Sequence, residues 1–150
     1  MFFASDVNAV SHGIQLAVAP VFLLTAVSAM IGTVAGRLGR IIDRARLVEG
    51  RIEAAPSADP MTSAYEELAG LRLRARLANG CIALLTLCAI LIGLTIVALF
   101  LGETTEWQIF RLATLFFLAG VVSFLLALLS FLTETVLATR VLNFGKRGGT

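Results

Sequence analysis

The sequence predicts an all-α, polytopic membrane protein with three transmembrane helices and a cytoplasmic antiparallel helical hairpin between the first and second spans. Three observations predict it. The 150 residues are 58% hydrophobic and 15% charged, where a soluble domain carries about 25% charge. The apolar residues gather in three runs, each long enough to cross ~30 Å of hydrocarbon at ~1.5 Å per residue. Between the first two runs lies an amphipathic stretch over 36–51, GRLGRIIDRARLVEGR, with four arginines on one side.

Residues 1–13 form a short mixed segment for the membrane interface. Phe2, Phe3, Val7 and Val10 suit the apolar side, Asp6, Asn8 and His12 the wet side, and Ser5 is a candidate N-cap. His12 alone at a membrane edge reads as an interfacial polar residue rather than a ligand or proton carrier. No Lys or Arg precedes Arg37, so the first apolar run is expected to be retained as a span rather than removed as a leader.

Transmembrane helix 1 is expected over 14–36. Pro20 should kink it or mark its first turn. Thr25, Ser28 and Thr33 can bond back to the helix or across to a neighbour. Ser28, Gly32 and Gly36 form a small stripe, with GTVAG a GxxxG pair. Such a stripe lets two backbones approach closely, inside one subunit or between subunits.

The hairpin is expected over 37–78. A helix turns ~100° per residue, so Arg37, Arg40, Arg44 and Arg51 fall within a sector of roughly 60°, beside an apolar face of Leu38, Ile41, Ile42, Ala45, Val48 and Ile52. Pro56 and Pro60, with Ser and Asp between them, break the helix. The second arm starts near Asp59–Pro60, or at Ser63, where Ser63 to Glu66 fits a capping box. Ala64, Leu68, Leu71, Ala75 and Ala78 then make a heptad seam. Arg40 with Asp43, and Glu49 with Arg46, are spaced for surface contacts of ~0.3 kcal/mol each, so these charges read as a solvated face.

Transmembrane helix 2 follows over 79–102. Cys81 and Cys88 are the two cysteines. They share a helix face but lie roughly 10 Å apart along it, too far for a disulfide. They read as small core residues, and the ligands for a metal site are missing. Residues 103–110 make an external loop, with Trp107 suited to the membrane–water interface. Transmembrane helix 3 spans 111–139, with Ser123 and Ser130 on one face. Glu134 is the one acid near a span's interior, which makes it a candidate by default. The expected role is a boundary ion pair with Arg37 or Arg40. Residues 140–150 form a basic tail carrying Arg140, Lys146 and Arg147.

Eight arginines lie between the first and second spans, and none lies between the second and third before Arg111. The positive-inside rule then places the hairpin and the C-terminus in the cytoplasm and the N-terminus outside.

The run IQLAVAPVFLLTAVSAMIGTVAGRLGRIIDRAR, with the later FLTETVLA, resembles small bacterial membrane proteins grouped as domain of unknown function 2721. The resemblance runs from Ile14 to Ala138, most specifically over 37–46, and leaves the tail beyond Arg140 outside. It implies three spans, an Arg-rich helix after the first, and the bacterial inner (cytoplasmic) membrane. It carries no activity, and so no catalytic residue.

Net charge is +2, which gives no support for nucleic-acid binding. No nucleophile with a base, no phosphate loop and no His–carboxylate cluster occurs in the spans, so no enzyme, metal or cofactor is expected. A thin three-span bundle instead suggests association in the bilayer, as a homo-oligomer or as an accessory subunit of a larger membrane complex. The alternative is a subunit of a small homo-oligomeric ion channel. Its pore would be lined by Thr25, Ser28 and Thr33, or by Ser123, Ser130 and Glu134, with arginine rings at the mouth.

Overall fold

A computed structural model describes the backbone of residues 2–54, 61–102 and 107–144, and the side chains of 14–54, 62–101 and 111–139. Every described residue is helical, in α1 (Phe2–Ala54), α2 (Met61–Gly102) and α3 (Trp107–Phe144). All three contain a stretch long and apolar enough to cross a membrane, and the chain is a multi-pass membrane protein. In hydrocarbon each N–H and C=O must find its partner within the segment, which leaves the helix as the form open to such runs. Gly32, Gly36, Gly39 and Gly50 therefore stay inside α1, and among the described residues no glycine has positive φ.

The helix ends differ from expectation in two places. α1 has begun by Phe2, so Ser5 lies inside it rather than capping it; Pro20 sits well within the helix and so does not mark its first turn. α2 has begun by Met61, so Ser63 is a helical residue and the capping box does not open the helix. That start agrees with the Asp59–Pro60 alternative, though Pro56, Asp59 and Pro60 lie outside the described residues. So do the side chains of 2–13, of Trp107 and of Arg140, and residues 145–150 of the basic tail, whose first residues continue α3 to Phe144.

Burial within each helix follows a period of seven. In α1 the inward positions are Pro20, Val27, Val34, Ile41 and Val48. In α2 they form two interleaved series: Leu71, Ala78, Leu85 and Ile92, and Cys81, Cys88 and Thr95. In α3 they are Ala113, Gly120, Ala127 and Glu134. A repeat of 3.5 residues per turn is the coiled-coil signature. Between helices in lipid there is little hydrophobic drive, so close contact and hydrogen bonds must hold them.

The chain divides into two compact units, Met1–Ile31 with Leu84–Leu126, and Gly32–Ala83 with Ala127–Thr150. In the first, α3 approaches α2 at Gly120. A Cβ there would stand 2.9 Å from Ile92 Cδ1 and 3.3 Å from its Cγ1, so this position admits a glycine best. Beside it Ser123 donates a 2.8 Å hydrogen bond to the Leu84 carbonyl. Large apolar side chains such as Phe22 and Leu115 are exposed.

In the second unit, Ile41 and Val48 of α1 meet Leu68 and Leu71 of α2, flanked by Ala45, Ile52, Ala64 and Ala75. Ala64, Leu68, Leu71 and Ala75 of the expected heptad series take part in this cluster. Arg44 pairs with Glu67 at 2.8 Å and Arg72 with Glu49 at 3.2 Å. Helical angles put the two pairs on opposite flanks of the seam. Glu49 thus bonds across to α2 rather than along α1 to Arg46. Both pairs are exposed and worth only ~0–1 kcal/mol each. Cys81 and Cys88 are fully buried and unlinked, and the Cys81 thiol donates to the Ala127 carbonyl at 3.2 Å.

Candidate functional site

Glu134 takes the fourth place in the inward series of α3, after Ala113, Gly120 and Ala127. The register that turns small residues inward therefore carries a carboxylate inward as well, leaving it 2% exposed. A buried charge without partners costs several kcal/mol, and here both oxygens are met. Oε2 lies 2.7 Å from Nη2 of Arg37 on α1. Oε1 accepts from Nη2 of Arg74 at 3.0 Å and from its Nε at 3.1 Å. One acid on α3 thus binds α1 and α2 together. Arg37 is anchored further: its Nη1 donates to Thr135 Oγ1 at 3.1 Å. Its guanidinium stands 5.0 Å from the centre of the Phe131 ring, within cation–π range. Thr135 in turn donates to the Phe131 carbonyl at 2.9 Å.

Of the two arginines expected at Glu134, Arg37 is in place and Arg40 is not. Arg40 lines an open cavity of about 290 Å³ beside the cluster, with Arg37, Ile41, Arg44, Leu71 and Arg74. Arg74 is the partner that sequence reasoning missed. In the sequence it stands with Arg72 and Arg76 just before the second span. Its signal was present: Arg74 lies seven residues before Cys81 and fourteen before Cys88, on one inward series.

The small stripe lies on the outside. Ser28, Gly32 and Gly36 are exposed, and a Cβ at either glycine meets nothing within 4 Å. Packing inside the subunit is therefore not the use of this stripe among the described residues. The polar residues considered for a pore do not share one surface. Thr25, Ser28 and Thr33 are exposed on α1, with the Thr25 hydroxyl turned back to the Val21 carbonyl at 3.3 Å. Ser123 and Ser130 are engaged between helices, the latter donating to the Leu77 carbonyl at 3.1 Å. Among the described residues no buried side-chain nitrogen or oxygen lacks a hydrogen-bond partner.

No curated protein and no solved structure matches the chain. A family model matches residues 17–144, which takes in the first span from Ala17 on, the other two spans and every member of the Glu134 cluster, and the chain belongs to that family, described as "Protein of unknown function (DUF2721)".

Proposed function

We propose that this is a non-enzymatic membrane protein that acts by helix–helix association, as a homo-oligomer or as an accessory subunit of a larger membrane complex. The bacterial inner membrane is the proposed site, with the N-terminus outside and the C-terminus in the cytoplasm. The observation that carries this reading is the outward stripe of Ser28, Gly32 and Gly36, whose glycine positions are open. Glycine weakens a helix by ~1 kcal/mol relative to Ala in water, and a close helix contact is what such a stripe offers in return. The interior supports the same reading, since Glu134, Ser123 and Ser130 are engaged in holding the helices to one another. A channel built by this chain would be left with Thr25, Ser28 and Thr33 as its lining.

Gly32→Leu tests the proposal. Gly32 is exposed and a Cβ there meets nothing within 4 Å, so the folded subunit should melt as wild type does. Native mass spectrometry from bilayer discs should show the oligomer, or the complex with its partner, lost. An assembly of unchanged mass in the Gly32→Leu protein rejects association through this stripe.

A further inference from the structure

The geometry points to the arginine-lined cavity as a binding site for the phosphate of an anionic phospholipid headgroup. Four arginines line the cavity, Arg37, Arg40, Arg44 and Arg74. Two carboxylates meet them: Glu134 between Arg37 and Arg74, and Glu67 at Arg44. Four positive charges against two negative leave a local charge of +2. Among the described residues Arg40 meets no carboxylate, and it is exposed. A surplus of arginine around an open cavity is an anion site, because the guanidinium fork matches two phosphate oxygens at once.

The same chemistry would serve a soluble phosphate, but the position favours lipid. Arg37 is the first charged residue after the apolar run that begins at Ile14. Arg44 lies seven residues further, a rise of ~10 Å. The headgroup layer on each face of a bilayer is roughly 5–8 Å deep, so the cavity stands at the level where lipid phosphates lie. Ile41 and Leu71 give its wall an apolar part against which the glycerol end of a lipid can rest. Basic pockets on transmembrane helices at this depth are established headgroup sites in general. Arg40 stands one turn beyond Gly36 on α1, and because lipid retention and assembly mass are separate readouts, the site and the association proposal can fail separately.

The test uses the full chain in bilayer discs of equal parts phosphatidylcholine and phosphatidylglycerol. It is followed by native mass spectrometry of the lipids retained on release. We expect phosphatidylglycerol to be retained in preference to phosphatidylcholine. Arg40→Gln should lower that retention about fivefold with an unchanged melting temperature, since Arg40 is no part of the Glu134 cluster. Arg40→Lys should keep most of it, and Arg51→Gln, a charge loss away from the cavity, all of it. Equal retention of the two lipids, or equal loss in Arg40→Gln and Arg51→Gln, overturns the site. A second arm adds millimolar inorganic phosphate to the protein in neutral detergent, once lipid-free and once loaded with phosphatidylglycerol. If phosphate stabilises the lipid-free protein and displaces phosphatidylglycerol from the loaded one, the lipid assignment is overturned in favour of a soluble anion.

Discussion

Glu134→Gln removes one charge and almost no volume, which makes it the sharpest probe of the three-helix cluster. The wild-type carboxylate is 2% exposed and receives Arg37 at 2.7 Å and Arg74 at 3.0 Å. Glutamine keeps one carbonyl acceptor and turns an NH2 group toward a guanidinium, so one of the two contacts becomes repulsive. Breaking a buried pair costs ~3–5 kcal/mol. The two arginine side chains are each 23% exposed, so water recovers part of their hydration. The expected loss is therefore about 2–4 kcal/mol, the upper figure discounted for that access. Reversible unfolding in mixed micelles or bicelles measures it. Adding Arg37→Gln or Arg74→Gln should cost less in the Glu134→Gln background than in wild type. The coupling energy should be about 1–3 kcal/mol for each arginine and near zero for Arg40. A Glu134→Gln protein within about 0.5 kcal/mol of wild type would refute the reasoning. So would an Arg40 coupling as large as that of Arg74.

The glycines give a matched comparison. Gly120→Ala should be less stable than Gly93→Ala by about 1–3 kcal/mol, because a Cβ at 120 meets Ile92 at 2.9 Å while one at 93 meets nothing within 4 Å; equal melting of the two rejects the close approach of α3 to α2. Ser123→Ala leaves the Leu84 carbonyl without its hydroxyl donor and should cost ~0.6 kcal/mol, read from the same unfolding assay. For the proposed topology, Cys81 and Cys88 are first replaced by Ala and the fold checked by melting. Ala58→Cys should then stay unlabelled by an impermeant maleimide until cells are opened, and labelling of intact cells would reverse the orientation.

The three helices were legible because apolar runs of this length have one form in hydrocarbon. Glu134 was legible as the one acid near a span's interior. Its pairing with Arg37 followed from both lying where apolar runs end. Arg74 was not found because Arg72, Arg74 and Arg76 look alike in composition; the register set by Cys81 and Cys88 separates them, and that register is seen only once α2 is followed as one continuous helix. The outward direction of Gly32 and Gly36 was missed for a related reason. A GxxxG pair says that a close approach is possible but carries no direction. Val27, Val34, Ile41 and Val48 mark the inward face of α1, and Gly32 and Gly36 sit about 160° from Val34. Local capping rules misplaced Ser5 and Ser63 because continued helix satisfied the backbone at both.

The Glu134 cluster also has an order in time. Its acid is on α3, which is synthesised after the other two helices, 60 residues after Arg74 and later still after Arg37. While α3 is unmade, the two arginines have no such acid to share and are drawn toward water and lipid phosphates. The apolar cluster of Ile41, Val48, Leu68 and Leu71 and two exposed ion pairs already join the first two helices, but Arg37 and Arg74 stay without their shared acid. Arrival of Glu134 supplies it in one step, because a single carboxylate takes both guanidinium groups. A chain cut short before α3 would therefore display its defect as unmatched positive charge at the membrane surface, where a protease or chaperone that surveys the bilayer can find it.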